Sequence, residues 1–418
     1  MSQPHIPPAK RFLFLQGPIS PFFDLLGRAL RARGHATFRI NLAGGDGALW
    51  TAPGATDFVR APAEWPGFIA AYLDTHAITD IVLLGEAREY HIVAIAAARA
   101  RGVRIAVTDF GYIRPDWITL EHDGMNGATA FPRDPAAILR LAEPLGSPDL
   151  VVRYWDSFVN QAILDILYSL RTHLSWRFRA YTTHQLHHPL QIYLGMGLRL
   201  ALRSIANRHA AKIMEDLRGQ GPLFLLALQM ETDFAIRAYS HYPDNDAVIE
   251  DVFASFAAHA PAEAHLLVKV HPLDPFAKNW SRRVRAAARR HGIAARVAYL
   301  GGGNLGDIVE RCQGVVTVTS TVGLRAIVER LPTFALGDAL YRIPGITSAG
   351  TLDAFWSNPQ APEPVLREAF VRAIAHFLHI RGAFYRNPGL DAAAYAAAER
   401  LSAGLPEYRS EVLTPRPA

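Results

Sequence analysis

Cysteine is almost absent from this sequence, because only Cys312 among its 418 residues carries a thiol. A single cysteine excludes a disulfide within the chain and a zinc site built from several thiolates. Uninterrupted apolar runs of about 18 residues are absent as well, so we predict no membrane-spanning helix. The apolar run near the N-terminus is short and is broken by Gln16, Gly17 and Pro18, which is unlike a signal peptide.

Two common phosphate-binding motifs are also missing. The chain contains neither GxGxxG nor GxxxxGK(S/T), and it therefore lacks the loops that dinucleotide-dependent dehydrogenases and P-loop NTPases require. Hydrophobic residues make up 50% of the chain, charged residues make up 19%, and low-complexity tracts are absent. This composition is typical of a folded globular protein. The net charge of +5 favours an anionic partner.

Short apolar runs alternate with longer amphipathic segments in both halves of the chain. The runs that we interpret as strands are 11–16, 35–40, 79–84, 103–107, 222–229, 264–270, 295–300, 314–318 and 332–336. This alternation predicts βαβ units and parallel sheets, and the chain length predicts two or three domains. We expect an α/β protein with an N-terminal domain over 1–150, a helical basic connecting region over 151–220, a C-terminal domain over 221–350 and a helical extension over 351–418.

The connecting region contains a segment, 171–212, that has no aspartate or glutamate. Its seven cations are Arg171, Arg177, Arg179, Arg199, Arg203, Arg208 and Lys212. One helical face within it is apolar, with Arg199 and Arg203 opposite, and consists of Leu190, Tyr193, Leu194, Leu198, Leu202 and Ile205. Two interpretations fit this pattern. The segment is either an amphipathic element at an anionic membrane surface or an inter-domain helix whose apolar face is core.

Three histidines of the same segment, His184, His187 and His188, have a spacing that a metal site could use. No carboxylate or cysteine is near them, and Pro189 interrupts the helix. We therefore expect no metal there.

The sequence 315–329 combines a strand pattern with a helix that begins near Thr321. Backbone amides at the N-terminus of such a helix bind phosphate in doubly wound folds. Ser320 and Thr321 supply hydroxyl groups there, and Gly323 allows a close approach to the backbone. The same residues also fit a purely structural cap, since Ser and Thr are common at the first position of a helix.

Two polar pairs follow predicted strands of the C-terminal domain. Lys269 and His271 are two residues apart at a strand end, so both side chains point to the same side and suit a leaving phosphate. Gln229 and Asp233 follow the first strand, where a carboxylate can act as nucleophile or base. The structural alternatives are a surface lysine beside a loop histidine and an Asp233 that only caps a helix.

These pairs belong to an ordered set of motifs. QxxxD at Gln229, KxHP at Lys269 and STxG at Ser320 occur in this order after GYxRPxxxTLE, which begins at Gly111. The N-terminal half also carries FLQGPxSPFF, and it carries GExRxYH at Gly85, Glu86, Arg88, Tyr90 and His91. The set resembles the capsule polysaccharide synthesis family of retaining β-Kdo transferases, in particular its linker-initiating branch. The resemblance runs from the first predicted strand to about residue 350.

The resemblance implies a GT-B-like fold, in which two Rossmann-like domains face each other across a cleft with a helical insertion between them. It implies that the C-terminal domain binds CMP through Lys269, His271, Ser320 and Thr321, and that Asp233 is the nucleophile. The N-terminal domain would bind the acceptor. The family pattern has an acidic pair before GYxRP, whereas this chain has Asp109 and Phe110 there.

Other residues complete the predicted site. The candidates for the base that activates the acceptor hydroxyl are Glu86, His91, Asp109 and Glu121. Arg88 or Arg114 would hold the Kdo carboxylate, because a guanidinium pairs with a carboxylate through two hydrogen bonds. Gln229 and Gly323 complete the predicted substrate-binding set. We expect no metal and no cofactor, since CMP-β-Kdo is the donor substrate.

The resemblance thus implies transfer of Kdo from CMP-β-Kdo to a phosphatidylglycerol-type lipid, which starts the capsule linker. The expected location is cytoplasmic and peripheral on the inner membrane, with other capsule synthesis and export proteins as partners and no nucleic acid. Two alternatives stay open. One is another GT-B nucleotide-sugar enzyme, such as a sialyltransferase-like protein or an epimerase, and the other is a non-catalytic export or assembly component.

Overall fold

The structure is a computed structural model that describes residues 9–183, 189–230, 233–276, 278–406 and 408. His184, His187, His188 and the side chain of Leu190 lie outside this described part. Two units make up the chain. Unit 1 comprises Met1–Ala130, Gly146–His184 and Ala373–Ala418, and unit 2 comprises Phe131–Leu145 and Gln185–Arg372.

Strands and helices alternate along the described chain. The strands are β1 (Arg11–Phe14), β2 (Ala36–Asn41), β3 (Ala55–Asp57), β4 (Asp80–Leu84), β5 (Arg104–Phe110), β6 (Trp117–His122), β7 (Leu223–Ala227), β8 (His265–Lys269), β9 (Val297–Leu300), β10 (Gly314–Thr317), β11 (Thr333–Ala335) and β12 (His379–Arg381). The helices are α1 (Phe22–Ala32), α2 (Trp65–Thr75), α3 (Glu89–Arg99), α4 (Pro135–Ala142), α5 (Phe158–Leu174), α6 (Pro189–Asp216), α7 (Phe234–Ala238), α8 (Asn245–His259), α9 (Trp280–Arg290), α10 (Leu305–Val309), α11 (Thr321–Val328), α12 (Leu352–Phe355), α13 (Pro364–Phe377) and α14 (Gly389–Ala403).

The sheet of unit 1 has the order β12-β6-β5-β4-β1-β2-β3. Strands β1 to β5 are parallel, while β6 and β12 are antiparallel to their neighbours. Within the parallel part, the chain winds outward from β1 in both directions, which is the Rossmann strand order. Phe12 and Phe14 of β1 are fully buried against α1 and α14, and each such side chain contributes about 1.5–3 kcal/mol of burial.

The sheet of unit 2 has the order β11-β10-β7-β8-β9 and is parallel throughout. Its central strand β7 is buried on both faces, as parallel sheets require. Phe224 and Leu226 pack against α8, and Leu223 and Leu225 pack on the opposite face, where Ala210 and Met214 of α6 cover them. Two Rossmann-like units in one chain confirm the α/β class and the two Rossmann-like domains expected from the sequence.

The connecting region and the C-terminal extension differ from the expectation. Helix α5 belongs to unit 1 and helix α6 to unit 2, so 151–220 does not form one separate region. The segment after residue 372 belongs to unit 1, because β12 extends its sheet beside β6 and α14 packs against α1. Residues 131–145 belong to unit 2, where Phe131 packs against Phe370. These short segments carry too little periodicity to reveal such pairings.

The apolar stripe of α6 is not part of a core. Leu194, Leu198, Leu202 and Ile205 are between 40% and 66% exposed, so this face is not covered by the core of unit 2. Arg199, by contrast, is buried, although the sequence placed it on the polar face with Arg203. Within the described ranges, no helix combines the length and the apolar composition that crossing a bilayer needs.

Candidate functional site

A glutamine bridges the two central strands of unit 2 at their carboxyl ends. Gln229 follows β7 by two residues, and Thr319 follows β10 by two residues. The Thr319 amide donates to Gln229 Oε1 at 2.9 Å, and Gln229 Nε2 lies 3.1 Å from Thr319 Oγ1. The chain reverses its winding direction between these two strands, and open α/β sheets bind their ligands at such a switch point.

The same glutamine fixes the carboxylate of Asp233. Gln229 Nε2 donates to Asp233 Oδ2 at 2.9 Å, while the Ala235 amide donates to Asp233 Oδ1 at 2.9 Å. Asn245 Nδ2 in turn donates to the Gln229 carbonyl at 3.0 Å. Asp233 therefore caps α7, as one alternative expected, and its carboxylate is also held at the switch point.

Lys269 is a buried cation at the end of the adjacent strand β8. Lys269 is only 6% exposed, and its side chain forms no ion pair with any described residue. Burial, together with the charge of Arg199, lowers the pKa of Lys269 to about 8. A buried ammonium without a carboxylate partner is costly, and an anionic ligand at this edge would offset that cost.

His271 lies on the loop after β8 in a fixed orientation. Its Nδ1 accepts a hydrogen bond from the Leu273 amide at 3.1 Å, so the neutral ring carries its proton on Nε2. Arg199 of α6 holds this loop from behind, since its Nη1 donates to the His271 carbonyl at 2.9 Å and its Nη2 lies 3.6 Å from Asp274 Oδ1. Arg199 is thus a structural support of the KxHP loop.

Ser320 and Thr321 begin α11 at the carboxyl end of β10. Ser320 Oγ accepts from the Val322 amide at 3.2 Å and caps the helix, and its hydroxyl hydrogen still provides a donor. Gly323 has a different role from the one expected, because a Cβ there would lie 2.4 Å from the hydroxyl oxygen of Tyr341. That hydroxyl donates to the Ser320 carbonyl at 2.7 Å. The close approach at Gly323 is therefore made by Tyr341.

In unit 1, the turn after β4 places Glu86 and His91. Gly85 has φ of +62°, a conformation that side chains disfavour. His91 is fully buried, and its Nδ1 lies 2.7 Å from the Gly85 carbonyl, so Nδ1 carries the proton and supports the turn. Burial raises the pKa of Glu86 to about 7, with a further contribution from the charge of Asp109.

Glu121 and Asp109 lie near Glu86 in unit 1. Glu121 Oε2 accepts from Thr129 Oγ1 at 2.7 Å, and burial raises the pKa of Glu121 to about 8. Asp109 Oδ1 accepts from the Phe110 amide at 2.7 Å. Three of the four candidate bases are thus carboxyl groups of one cluster, in which Glu86 is less buried than Glu121.

The two candidate arginines have different surroundings. Arg88 precedes α3, is half-buried and forms no ion pair with any described residue. Arg114 is exposed on the loop between β5 and β6, with its guanidinium 4.9 Å from the centroid of the Phe110 ring. Of the two, Arg88 is the more enclosed cation at a strand end.

The sequence model of the family described as "Capsule polysaccharide biosynthesis protein" matches residues 79–385. The chain belongs to this capsule polysaccharide biosynthesis family. The match extends from the start of β4 to the C-terminal segment of unit 1, so it includes nearly all the residues discussed above. The sequence-based recognition of the family is confirmed.

Three individual proteins are similar to this chain. The chain is 27% identical over 370 residues to the "Capsule polysaccharide export protein KpsS" of Escherichia coli, covering 86% of this chain and 93% of the relative. It is 29% identical over 389 residues to the "Capsule polysaccharide modification protein LipB" of Neisseria meningitidis serogroup A, covering 90% and 92%. Among solved structures, the β-Kdo 2,7 transferase part of Thermosulfurimonas dismutans KpsC matches with a TM-score of 0.43 and 12% identity, covering 87% of this chain and 90% of that one.

The structure of this family member also shows a residue whose role the sequence did not reveal. Gln16 follows β1 by two residues, as Gln229 follows β7. Its Nε2 lies 3.2 Å from the Tyr181 hydroxyl and 3.3 Å from the Tyr168 hydroxyl, and its carbonyl accepts from the Leu84 amide at the end of β4. Each unit thus has a glutamine at its switch point, a signal present in the repeated LQ after both strands.

The described residues contain no cluster of three or more His, Cys, Asp or Glu side chains arranged to hold a metal ion. At the carboxyl ends of its strands, unit 2 offers the buried cation of Lys269, the hydroxyl of Ser320 and the N-terminus of α11. Such groups can stabilise a phosphate electrostatically.

Proposed function

We propose that this chain is a retaining transferase that moves Kdo from CMP-β-Kdo to a phosphatidylglycerol-type lipid and so starts the capsule linker. The observation that carries the proposal is the carboxylate of Asp233, which Gln229 fixes at the switch point of unit 2, with the buried Lys269 at the end of the neighbouring strand β8. The motifs around these residues resemble those of retaining β-Kdo transferases, which supports Kdo as the sugar.

In the first step, an Asp233 oxygen attacks the anomeric carbon of Kdo while the bond from that carbon to the CMP phosphate breaks. The electron pair of this bond leaves with CMP, whose phosphate gains negative charge. Lys269, His271 and the N-terminal end of α11 at Ser320 would stabilise this charge. CMP needs charge stabilisation more than it needs a proton, so Lys269 acts as a cation in this step.

In the second step, the lipid hydroxyl attacks the same carbon and the bond to Asp233 breaks, which restores the original anomeric configuration. The hydroxyl proton needs a base, for which we propose Glu86. Its pKa of about 7 is near the operating pH, as general base catalysis requires. His91 would position the turn that carries Glu86, because it is buried and bound to the Gly85 carbonyl.

Substrate specificity would depend on a further cation. Arg88 is the better candidate of the two arginines to hold the Kdo carboxylate, since it is half-buried and unpaired within the described residues. A cytoplasmic location, peripheral on the inner membrane and together with other capsule synthesis and export proteins, completes the proposal. The exposed apolar stripe and the cations of α6 support contact with an anionic membrane.

The experiment is transfer to a short-chain phosphatidylglycerol from CMP-Kdo generated in situ, with the product detected by mass spectrometry. CMP-sialic acid and a UDP-sugar serve as donor controls for the alternative nucleotide-sugar enzymes. The proposal expects a lipid product with CMP-Kdo alone, and none with Asp233→Asn, in which asparagine still caps α7. Product formed only with another donor would show that the transferred sugar is not Kdo. Absence of product with every donor would favour a non-catalytic export component.

A further inference from the structure

We propose that the outer face of α5 is a docking surface for an anionic lipid bilayer. This face consists of Val159, Ile163, Ile166, Leu167, Leu170 and Leu174. The inference rests on the proposed function in one respect, since a lipid acceptor requires the protein to reach a membrane. It concerns unit 1 and is independent of the stripe on α6 in unit 2.

The helix α5 is amphipathic with its apolar side outward. The six side chains of the outer face follow the spacing of one helical stripe, and each is between 48% and 73% exposed. A surface helix of a globular protein normally turns such a stripe toward the core. A contiguous exposed apolar stripe therefore marks an interaction surface.

The inner side of α5 attaches the helix to unit 1 through Leu164, which packs against the core, and through three polar contacts. The Tyr168 hydroxyl donates to Asp46 Oδ1 at 3.0 Å, and the Gly45 amide donates to Thr172 Oγ1 at 3.1 Å. Asn160 Nδ2 donates to the Tyr385 carbonyl at 3.0 Å. Rotating the helix to bury its apolar side would break all three hydrogen bonds, so the outward orientation is specified by the polar residues.

Charge and aromatic residues next to this face match an anionic membrane surface. From residue 166 to residue 183 the sequence has no aspartate or glutamate. Arg171 and Arg179 are exposed and form no ion pair within the described part of the chain. Trp155 and Trp176, which flank α5 on either side, are 65% and 84% exposed. Tryptophan favours the boundary between headgroups and acyl chains, and cations are attracted to anionic lipids.

This combination favours a bilayer over a protein partner. An apolar stripe with cations beside it and tryptophans near its ends is the pattern of helices that lie in the membrane interface. The inner side of the same helix contributes Tyr168 to the hydrogen bonds around Gln16 at the switch point of unit 1. Helix α5 thus connects a lipid-facing surface directly to the region where acceptor binding is proposed.

The test is vesicle flotation of the full chain with phosphatidylcholine vesicles that contain or lack phosphatidylglycerol. The triple variant Ile163→Glu, Leu167→Glu, Leu170→Glu places charges on exposed positions, so its melting temperature should equal that of the wild type. We expect its binding to phosphatidylglycerol vesicles to fall by roughly tenfold or more. Unchanged flotation of this variant would overturn the proposal.

A matched pair of single variants controls for the added charge. Val159 and Val365 are both second residues of helices and are 65% and 62% exposed. Val159→Glu should weaken flotation, whereas Val365→Glu on α13 should not. An equal loss of flotation in the two variants would show that any added negative charge weakens binding, and that α5 is not the docking surface. If the wild type self-associates and does not float, and the triple variant is monomeric, the surface is a protein contact and not a membrane contact.

Transfer to a water-soluble acceptor separates this inference from the proposed function. If both hold, the triple variant keeps transfer to the soluble acceptor and loses transfer to vesicle-embedded lipid. If the docking surface is wrong, the triple variant floats and transfers like the wild type. If the proposed function is wrong, the wild type floats normally and transfers Kdo to neither acceptor.

Discussion

Gln229 donates its side-chain amide to the carboxylate of Asp233 at 2.9 Å, and its side-chain oxygen accepts from the backbone amide of Thr319 at 2.9 Å. One buried side chain thus couples the loop after β7 to the end of β10. Because Gln229 uses its amide nitrogen on Asp233, the orientation of that carboxylate depends on an amide and not on a charge. Gln229 is accordingly a positioning residue in the proposed mechanism.

Gln229→Glu should lower kcat far more than it changes CMP affinity. The glutamate retains an acceptor for the Thr319 amide, but it removes the donor to Asp233 and adds a second negative charge beside it, which favours protonation of the nucleophile. Kinetics combined with calorimetric CMP titration measure the two quantities. A parallel loss of both, together with a lower melting temperature, would indicate a merely structural role.

CMP binding should weaken as pH rises through about 8, because the buried Lys269 loses its proton there. Loss of this charge-assisted contact costs about 1.5–3 kcal/mol, or roughly 10- to 150-fold in Kd. In Lys269→Arg the charge persists at higher pH, so the pH dependence should disappear even if absolute affinity falls. Calorimetry at pH 7, 8 and 9 measures this, and a wild-type Kd that is constant over this range would contradict the assignment.

Lys269→Met should separate stability from binding. The folded-state pKa of Lys269 is below its usual value, so burial penalises the charged form and this penalty is fully present below pH 8. Removing the charge relieves the penalty, and at pH 7 the melting temperature should stay equal or rise while CMP affinity falls. A lower melting temperature with unchanged CMP affinity would show that Lys269 is a structural residue.

The rate of transfer should rise with pH through about 7 as Glu86 loses its proton. Its pKa is raised by burial, so the carboxyl group is protonated, and inactive as a base, at pH 6. In a plot of kcat/KM against pH, this rising limb reports the pKa of the base in the free enzyme. Glu86→Gln should remove the limb and most of the activity, whereas an unchanged profile in that variant would assign the base to another group.

Charge reversal on α6 should have different consequences at the buried Arg199 and at the exposed Arg203 and Arg208. Arg199→Glu would place a buried anion beside Asp274 and should destabilise the fold by about 3–5 kcal/mol. Arg203→Glu combined with Arg208→Glu changes exposed residues and should leave the melting temperature unchanged while reducing flotation on anionic vesicles. Thermal melting and flotation of both proteins measure this, and equal melting temperatures would contradict the buried role of Arg199.

Much of the fold was predictable because buried parallel strands are short apolar runs. The runs around β1, β4, β7, β8 and β10 indicated strands, and their polar C-terminal residues indicated the candidate site. Strand β12 was not predictable, since three residues show no periodicity and their partner β6 is more than 250 positions away.

Arg199 and Gly323 show why the site was only partly predictable. Helical spacing placed Arg199 on a polar face, but its burial depends on Asp274 and the His271 carbonyl, which are distant in sequence. The glycine of the STxG motif could leave room for a ligand or for a neighbouring side chain. Only the position of Tyr341 in the structure distinguishes these two interpretations. The outward face of α5 likewise depends on hydrogen bonds to residues far from it in sequence.

The most direct test of the account is the mass of the protein after incubation with CMP-Kdo in the absence of acceptor. The account predicts a fraction of wild-type chains heavier by one Kdo residue, with the added mass on the peptide that contains Asp233 and disappearing when short-chain phosphatidylglycerol is added. Asp233→Asn should acquire no such mass and form no product. Kdo transfer by Asp233→Asn at a rate near that of the wild type would contradict the central claim.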